Sequence, residues 1–314
     1  MKNKIILLFT VFTVTFSLSC FSQNNSNSNS EASTLLWEVR PKNDTNKVMF
    51  LFGSIHIGIK EMYPLSPIIM DAWSKSDVLG VEFDIENFEL SDFGPDLQSK
   101  LISFTEKLHT KLPTVIYEKL KLQLIENGIP EFTVDYFTPL GAALVLELGN
   151  IMAAIQNIDD ENNDNIAIGI DKYFLKLAAK ENKEIIEVES LQRQIQVLEE
   201  MNEFIVDYIS ALLERIEKES SDDDIINLFS AWISGDVEAL EKIINTEYSS
   251  DSNVDAKLKD ALLFKRNIEI TEKIEEYFLD SRTFFIVIGA GHFVGENSII
   301  YNLEKTEKYI IRRF

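Results

Sequence analysis

Two segments far apart in the chain end the same way. Phe50-Leu51-Phe52-Gly53-Ser54-Ile55-His56 and Ile286-Val287-Ile288-Gly289-Ala290-Gly291-His292 each run an apolar stretch into G-x-x-H. With 12 glycines and three histidines in 314 residues, chance supplies on the order of 0.1 such matches. Short apolar, β-rich runs bounded by glycine read as buried strands. The glycine lets the backbone turn off the strand, so each histidine projects at the rim of a sheet. Two imidazoles at two strand ends can converge on one metal ion or one substrate. The third histidine, His109, sits in the charged, helix-like stretch Glu106-Lys107-Leu108-His109 and reads as solvated.

A carboxylate joins the pair. Glu82 follows the apolar run Val78-Leu79-Gly80-Val81, and an acid at the end of a buried strand needs a metal, an arginine or hydrogen-bond donors. Asp84 lies two residues on, on the same strand face, in reach of a supporting role. Two histidines and one carboxylate form a common catalytic metal set that leaves positions open for water and substrate. The chain has no Walker A, G-x-G-x-x-G, H-E-x-x-H or G-x-S-x-G motif. Asp160-x-Asn162-x-Asp164 imitates a calcium loop. It has Asn165 where glycine belongs and Asp171 where the bidentate glutamate belongs, so it reads as a solvated acidic loop.

Residues 35–39 and 48–52 read as strands of a hairpin across the turn-rich segment 41–46. Residues 77–84, 185–188 and 284–288 read as further strands, and 309–312 as a last edge strand. Between them the pattern is helical. Apolar residues from Met201 to Ile216 follow a 3.6-residue period, and Ser221-Asp222-Asp223-Asp224 suits a helix N-terminus. Gly235 can end that helix and Asp236 cap the next. Residues 141–158 form the longest apolar run, interrupted by Glu147, of a length that suits a buried helix. Strands at both ends with a helical middle, about residues 100–275, predict an α/β or α+β domain over residues 34–314: a central mixed sheet with flanking helices and a helical insertion.

The 52 acidic against 30 basic residues disfavour nucleic-acid binding, which needs a basic face. They also disfavour adhesion to anionic lipid. Lys2 and Lys4 followed by an apolar run to Leu18 form a signal peptide over residues 1–22, too short for a comfortable membrane span. Cys20, the one cysteine, stands where a lipoprotein cysteine would, after a loose lipobox (Ser17-Leu18-Ser19). Cleavage after Ser22 is the competing reading. Residues 23–33 are polar and suit a flexible tether. The chain is therefore expected in a bacterial periplasm, or on a membrane only through a lipid on Cys20. Lone Cys20 allows neither an intrachain disulfide nor a Cys-based structural zinc site.

These residues resemble the TraB/GumN family, which includes the PrgY proteins and is related to the Tiki metalloproteases and, more distantly, to erythromycin esterase and ChaN-like proteins. The resemblance runs from Leu36-Trp37-Glu38-Val39 and the first G-x-x-H through Val81-Glu82-Phe83-Asp84. It continues through Gly169-Ile170-Asp171, Val188-Glu189-Ser190 with Gln194, and Trp232-Ile233-Ser234-Gly235-Asp236. Arg266-Asn267 and the final G-x-x-H complete it. Ser54 replaces a usual threonine, Leu140 a tryptophan, and Ser298 and Glu307 stand in place of late glycines. The resemblance implies a sheet with a cleft at its strand ends. It also implies a divalent metal (manganese, cobalt or zinc, not distinguished) at His56, Glu82 and His292. Arg266 would then steady an oxyanion or bind a substrate carboxylate, and Glu82 would serve as general base if it is not a ligand. Glu189, Gln194 and Asn267 become supporting or substrate-facing groups. The expected function is an extracytoplasmic metal-dependent hydrolase, acting on a peptide or another small substrate. The alternatives are a non-catalytic binder of peptide signals, or an ester hydrolase or envelope-polysaccharide protein.

Overall fold

The computed structural model describes residues 34–84, 95–157, 166–217, 221–245 and 252–314. The signal peptide, the tether with Cys20 and the acidic loop at 160–165 lie outside the described residues. The hairpin forms as its turn residues predict. β1 (Leu36–Pro41) pairs antiparallel with β2 (Met49–Ser54), Leu36 opposite Phe52. A short β3 (Ile57–Ile59) follows and pairs with β5 (Ile166–Ile168) as a separate two-stranded sheet. At three residues each, this pair is too brief to show a pattern in the sequence.

The main sheet also holds β4 (Val78–Val81), β6 (Glu184–Glu187), β7 (Phe284–Gly289) and β8 (Tyr309–Arg313), in the order β6-β4-β7-β2-β1-β8. β6, β4, β7 and β2 run parallel, while β1 opposes both its neighbours. Every residue of β2, β4 and β7 is buried, as parallel strands covered on both faces must be; hence their continuous apolar runs. The edges carry charge, Glu184 and Glu187 on β6, Arg312 and Arg313 on β8, which discourages pairing with another chain.

Alternation along β7 assigns its two faces. Phe285 packs on Phe174 of the helix Ile170–Glu181, ring centres 4.8 Å apart, and on Trp73 of the helix Pro67–Ser74 at 5.6 Å. Phe284 stacks instead on Tyr277 of the helix Lys265–Tyr277, at 5.2 Å and 10°. Each such buried aromatic contributes about 1.5–3 kcal/mol relative to exposure.

The helical middle differs from expectation in one place. The single period read across residues 201–216 is two helices, Leu191–Asn202 and Ile205–Glu217. The apolar face continues across the break, with Met201, Phe204 and Ile205 all buried, so periodicity alone did not reveal it. The helix Ser221–Ser234 starts where its acidic cluster predicts. Gly235 follows it at φ 65°, and the Asp236 carboxylate accepts from Ala239 N–H at 2.9 Å. The long apolar run forms the helix Pro139–Asn157. Among the described residues no helix is long and apolar enough to cross a membrane.

Candidate functional site

The sheet brings the chemistry together by register. β2 and β7 are parallel neighbours, with Ser54 opposite Gly289, so both G-x-x-H units leave the sheet side by side at strand C-terminal ends. β4 flanks β7 on the other side, Val81 opposite Val287, and Glu82 is the next residue. β6 flanks β4, and Glu189 N–H donates to the Glu82 carbonyl at 3.0 Å. Residues from four adjacent parallel strands therefore meet at the end where open α/β sheets carry their ligands.

Glycine's part differs from the expected turn. Gly53 remains within β2, and a Cβ there would come within 3.2 Å of Ala290 and of Leu35. Its smallness lets the two histidine segments approach. Trp232 from the distant helix seals the same point, its indole N–H donating to the Gly53 carbonyl at 2.8 Å. Gly169 is tighter still: a Cβ there would lie 1.9 Å from the His56 carbonyl oxygen. Ile170 N–H donates to Ile55 O at 2.9 Å. The helix Ile170–Glu181 thus starts against the first histidine and delivers Asp171 to it.

His56 Nδ1 lies 2.7 Å from Asp171 Oδ2, and Ser54 Oγ donates to Asp171 Oδ1 at 2.9 Å. Asp171 is the functional candidate that sequence reasoning read otherwise, as a misfit in a calcium loop. The G-x-D block beside it was the available signal. Burial pulls the His56 pKa down, but the charge and hydrogen bond of Asp171 and the charge of Glu82 outweigh it, and the net direction is up. His292, 2% exposed, has Nδ1 2.5 Å from Asn267 Oδ1. Burial, then the nearby Arg266 charge, hold it well below the usual histidine range, and a charge on His56 lowers it further. Both Nε2 atoms are buried with no hydrogen-bond partner.

Glu82 is 4% exposed, with Oε1 accepting from Gly289 N–H at 2.7 Å and Oε2 from Arg266 Nη2 at 2.8 Å. Arg266, 1% exposed, also donates Nε and Nη2 to the two Glu189 oxygens, each at 2.7 Å, and Nη1 to Leu262 O at 2.9 Å. Gln194 donates to Glu189 as well. Arg266 therefore bridges two carboxylates, and its guanidinium is committed inside the protein rather than presented to an oxyanion. Burial opposes its charge, but Glu189 and Glu82 outweigh this and raise its pKa. Asp84 stands apart, its N–H donating to Glu187 at 3.0 Å. His109 is half exposed and pairs with Asp135 at 2.9 Å, away from this cluster in the structure as in the sequence.

A family model described as "TraB/PrgY/gumN family" matches residues 35–312. The chain belongs to the TraB/PrgY/gumN family. Curated relatives of this family member include a metalloprotease TIKI homolog of Amphimedon queenslandica, 24% identical over 96% of this chain and 65% of that protein. Metalloprotease TIKI2 of Xenopus tropicalis is 22% identical over 87% and 58%, and metalloprotease TIKI1 of Homo sapiens 22% over 86% and 60%. The chain thus spans about three-fifths of the length of these relatives. No solved structure matches. Those relatives are named as metalloproteases, a word that implies a metal ion in those proteins.

The residues present fit such an ion in part. Two buried imidazole Nε2 atoms without partners are the donor type that zinc, cobalt and manganese accept. Three buried carboxyl groups, Asp171, Glu82 and Glu189, line the cluster beside a single guanidinium, Arg266, a donor set that suits a cation. Yet among the described residues no group of three or more His, Cys, Asp or Glu is gathered as a metal-holding set. Glu82, expected as the third ligand, turns both oxygens to Arg266 and Gly289.

Proposed function

We propose that this family member is an exported, metal-dependent hydrolase acting on peptides, with His56 and His292 holding a divalent ion (manganese, cobalt or zinc). The observation that carries the reading is the pair of buried, unpartnered Nε2 atoms at the ends of adjacent parallel strands. A bound ion there would polarise a carbonyl and acidify a water. Glu82 is held in place by Arg266 and the Gly289 N–H. Each of its oxygens keeps a second lone pair, so it can take a hydrogen bond from an attacking water. The neutral His292 keeps its lone pair, which suits a ligand. The surplus of acidic residues leans toward cationic substrates. Residues 1–22 support export, with anchoring through Cys20 or release by cleavage after Ser22.

The test is a peptide library offered to the purified protein loaded in turn with manganese, cobalt and zinc, beside His56→Ala, His292→Ala and Glu82→Gln. The expected result is cleavage by the wild type with at least one ion and by none of the variants. No cleavage by a protein that retains metal would sink the hydrolase reading. A second reading, peptide capture without turnover, is favoured by one observation: both Glu82 oxygens are already engaged. It predicts that Glu82→Gln binds the same peptides as the wild type.

A further inference from the structure

We propose that Asp171, steadied by Ser54, and Asn267 are the positioning residues of the two histidines, each gripping one ring by Nδ1 so that both buried Nε2 atoms keep their lone pairs free. The inference rests on the two-histidine site of the proposed function and adds what orients it.

For His292 the proton's place follows from a chain of hydrogen bonds. Asn267 Nδ2 donates to the Asn297 carbonyl at 2.8 Å, so Oδ1 is the atom that faces the ring. An amide oxygen only accepts, so the atom 2.5 Å from it, His292 Nδ1, must carry the hydrogen. A neutral ring protonated there has its lone pair on Nε2. Asn297 adopts φ 62°, a left-handed conformation that asparagine tolerates better than most residues, and its carbonyl anchors the chain. Asn267 is 1% exposed, so its amide is shielded from bulk solvent.

For His56 the grip is ionic. Asp171 Oδ2 stands 2.7 Å from Nδ1, and a carboxylate draws the ring hydrogen to that edge. The Ser54 hydroxyl occupies the other oxygen and sets the rotation of the carboxylate. The two grips differ in charge. An anion behind His56 makes that ring the stronger electron donor, whereas the neutral amide behind His292 fixes direction alone. Such outer partners typically govern metal affinity by 10- to 100-fold. Asn267 spends both ends of its amide on His292 and the Asn297 carbonyl, and Asp171 Oδ2 stands beside His56 Nδ1, so both act through the rings.

Two readouts test this on the full-length protein, with circular dichroism to monitor folding. The first is metal-free: long-range proton–nitrogen correlation of the imidazoles, tractable because the chain has three histidines. His292 is expected as the Nδ1–H tautomer, and Asn267→Ala is expected to populate the Nε2–H form. The second is cobalt(II) affinity by calorimetric titration. Asp171→Asn and Asn267→Ala are each expected to weaken binding 10- to 100-fold, Ser54→Ala to weaken it severalfold, and Ser54→Thr, which keeps the hydroxyl, to match the wild type. A His292 tautomer unmoved by Asn267→Ala overturns the role of Asn267. Cobalt affinity unchanged in Asp171→Asn, or lowered equally by Ser54→Thr and Ser54→Ala, overturns the role of Asp171 and Ser54. Should the wild type bind no cobalt while the tautomer behaves as expected, the grip on His292 stands and the metal-dependent function falls.

Discussion

Replacing Arg266 by methionine separates a structural cation from a catalytic one. The side chain is 1% exposed, and its loss would strand Glu82 and Glu189, 4% and 5% exposed, with no cation between them. Four hydrogen bonds go with it: two to Glu189, one to Glu82 and one to the Leu262 carbonyl. Removing one partner of a buried ionic network costs about 3–5 kcal/mol, because the remaining charge stays desolvated. At about 2–4 °C per kcal/mol for domains of 150–250 residues, the melting temperature should fall on the order of 10 °C. Differential scanning fluorimetry and urea unfolding followed by circular dichroism read this directly. Arg266→Lys should fall part of the way, since one ammonium cannot span both carboxylates and the carbonyl. Combining Arg266→Met with Glu82→Gln and Glu189→Gln should recover much of the loss, because the charges leave together. If Arg266→Met melts within about 2 °C of the wild type but loses activity, the bridging argument is wrong and Arg266 works on substrate.

Three further outcomes follow from other sites. Burial pushes Glu147 up to about 8, against the hydrogen bond from Tyr208 and the charge of Arg215. Its folded value lies above the unfolded one, so its contribution is full below about pH 4.5 and is lost as pH rises through about 8, on the order of 5 kcal/mol in all. Urea titrations of Glu147→Gln at pH 5 and pH 9 should show a flatter dependence than the wild type, and equal slopes would refute the assignment. Glu307 sits at φ 58°, where the family resemblance expects glycine. Glu307→Gly should gain about 0.5–1 kcal/mol in urea unfolding, as relief of left-handed strain exceeds the added chain entropy; a loss would count against that strain. His109→Ala, at a half-exposed position paired with Asp135, should alter stability by under about 1 kcal/mol and leave cobalt affinity unchanged. A fall in that affinity would place His109 in the site.

The strands were legible because their signal is local. Val78–Val81, between Asp77 and Glu82, and Phe284–Gly289, after Thr283, are unbroken apolar runs, and the hairpin turn carries its own asparagine and aspartate. The residues of the site were legible as types: two G-x-x-H histidines, a strand-end glutamate and an Arg-Asn pair. The helix break at Glu203 and Phe204 was not, since one apolar face runs through it. Nor was β3 with β5, whose pairing joins residues 57–59 to 166–168.

The partnerships belong to the tertiary structure alone. The G-x-D block marks Asp171 but does not name His56 as its partner; the close approach of Gly169 to the His56 carbonyl does. The sequence casts Arg266 as an anchor for an oxyanion or a substrate carboxylate, and Glu82 and Glu189 on either side of it make it a bridge between them. Composition, strand pattern and the repeated G-x-x-H determined what chemistry is present and that it gathers at strand ends. The parallel register of β6, β4, β7 and β2 decided which group faces which. A side chain's type is written locally, whereas a hydrogen bond between residues 184 apart, such as Arg266 with Glu82, exists only once the sheet has brought their strands together.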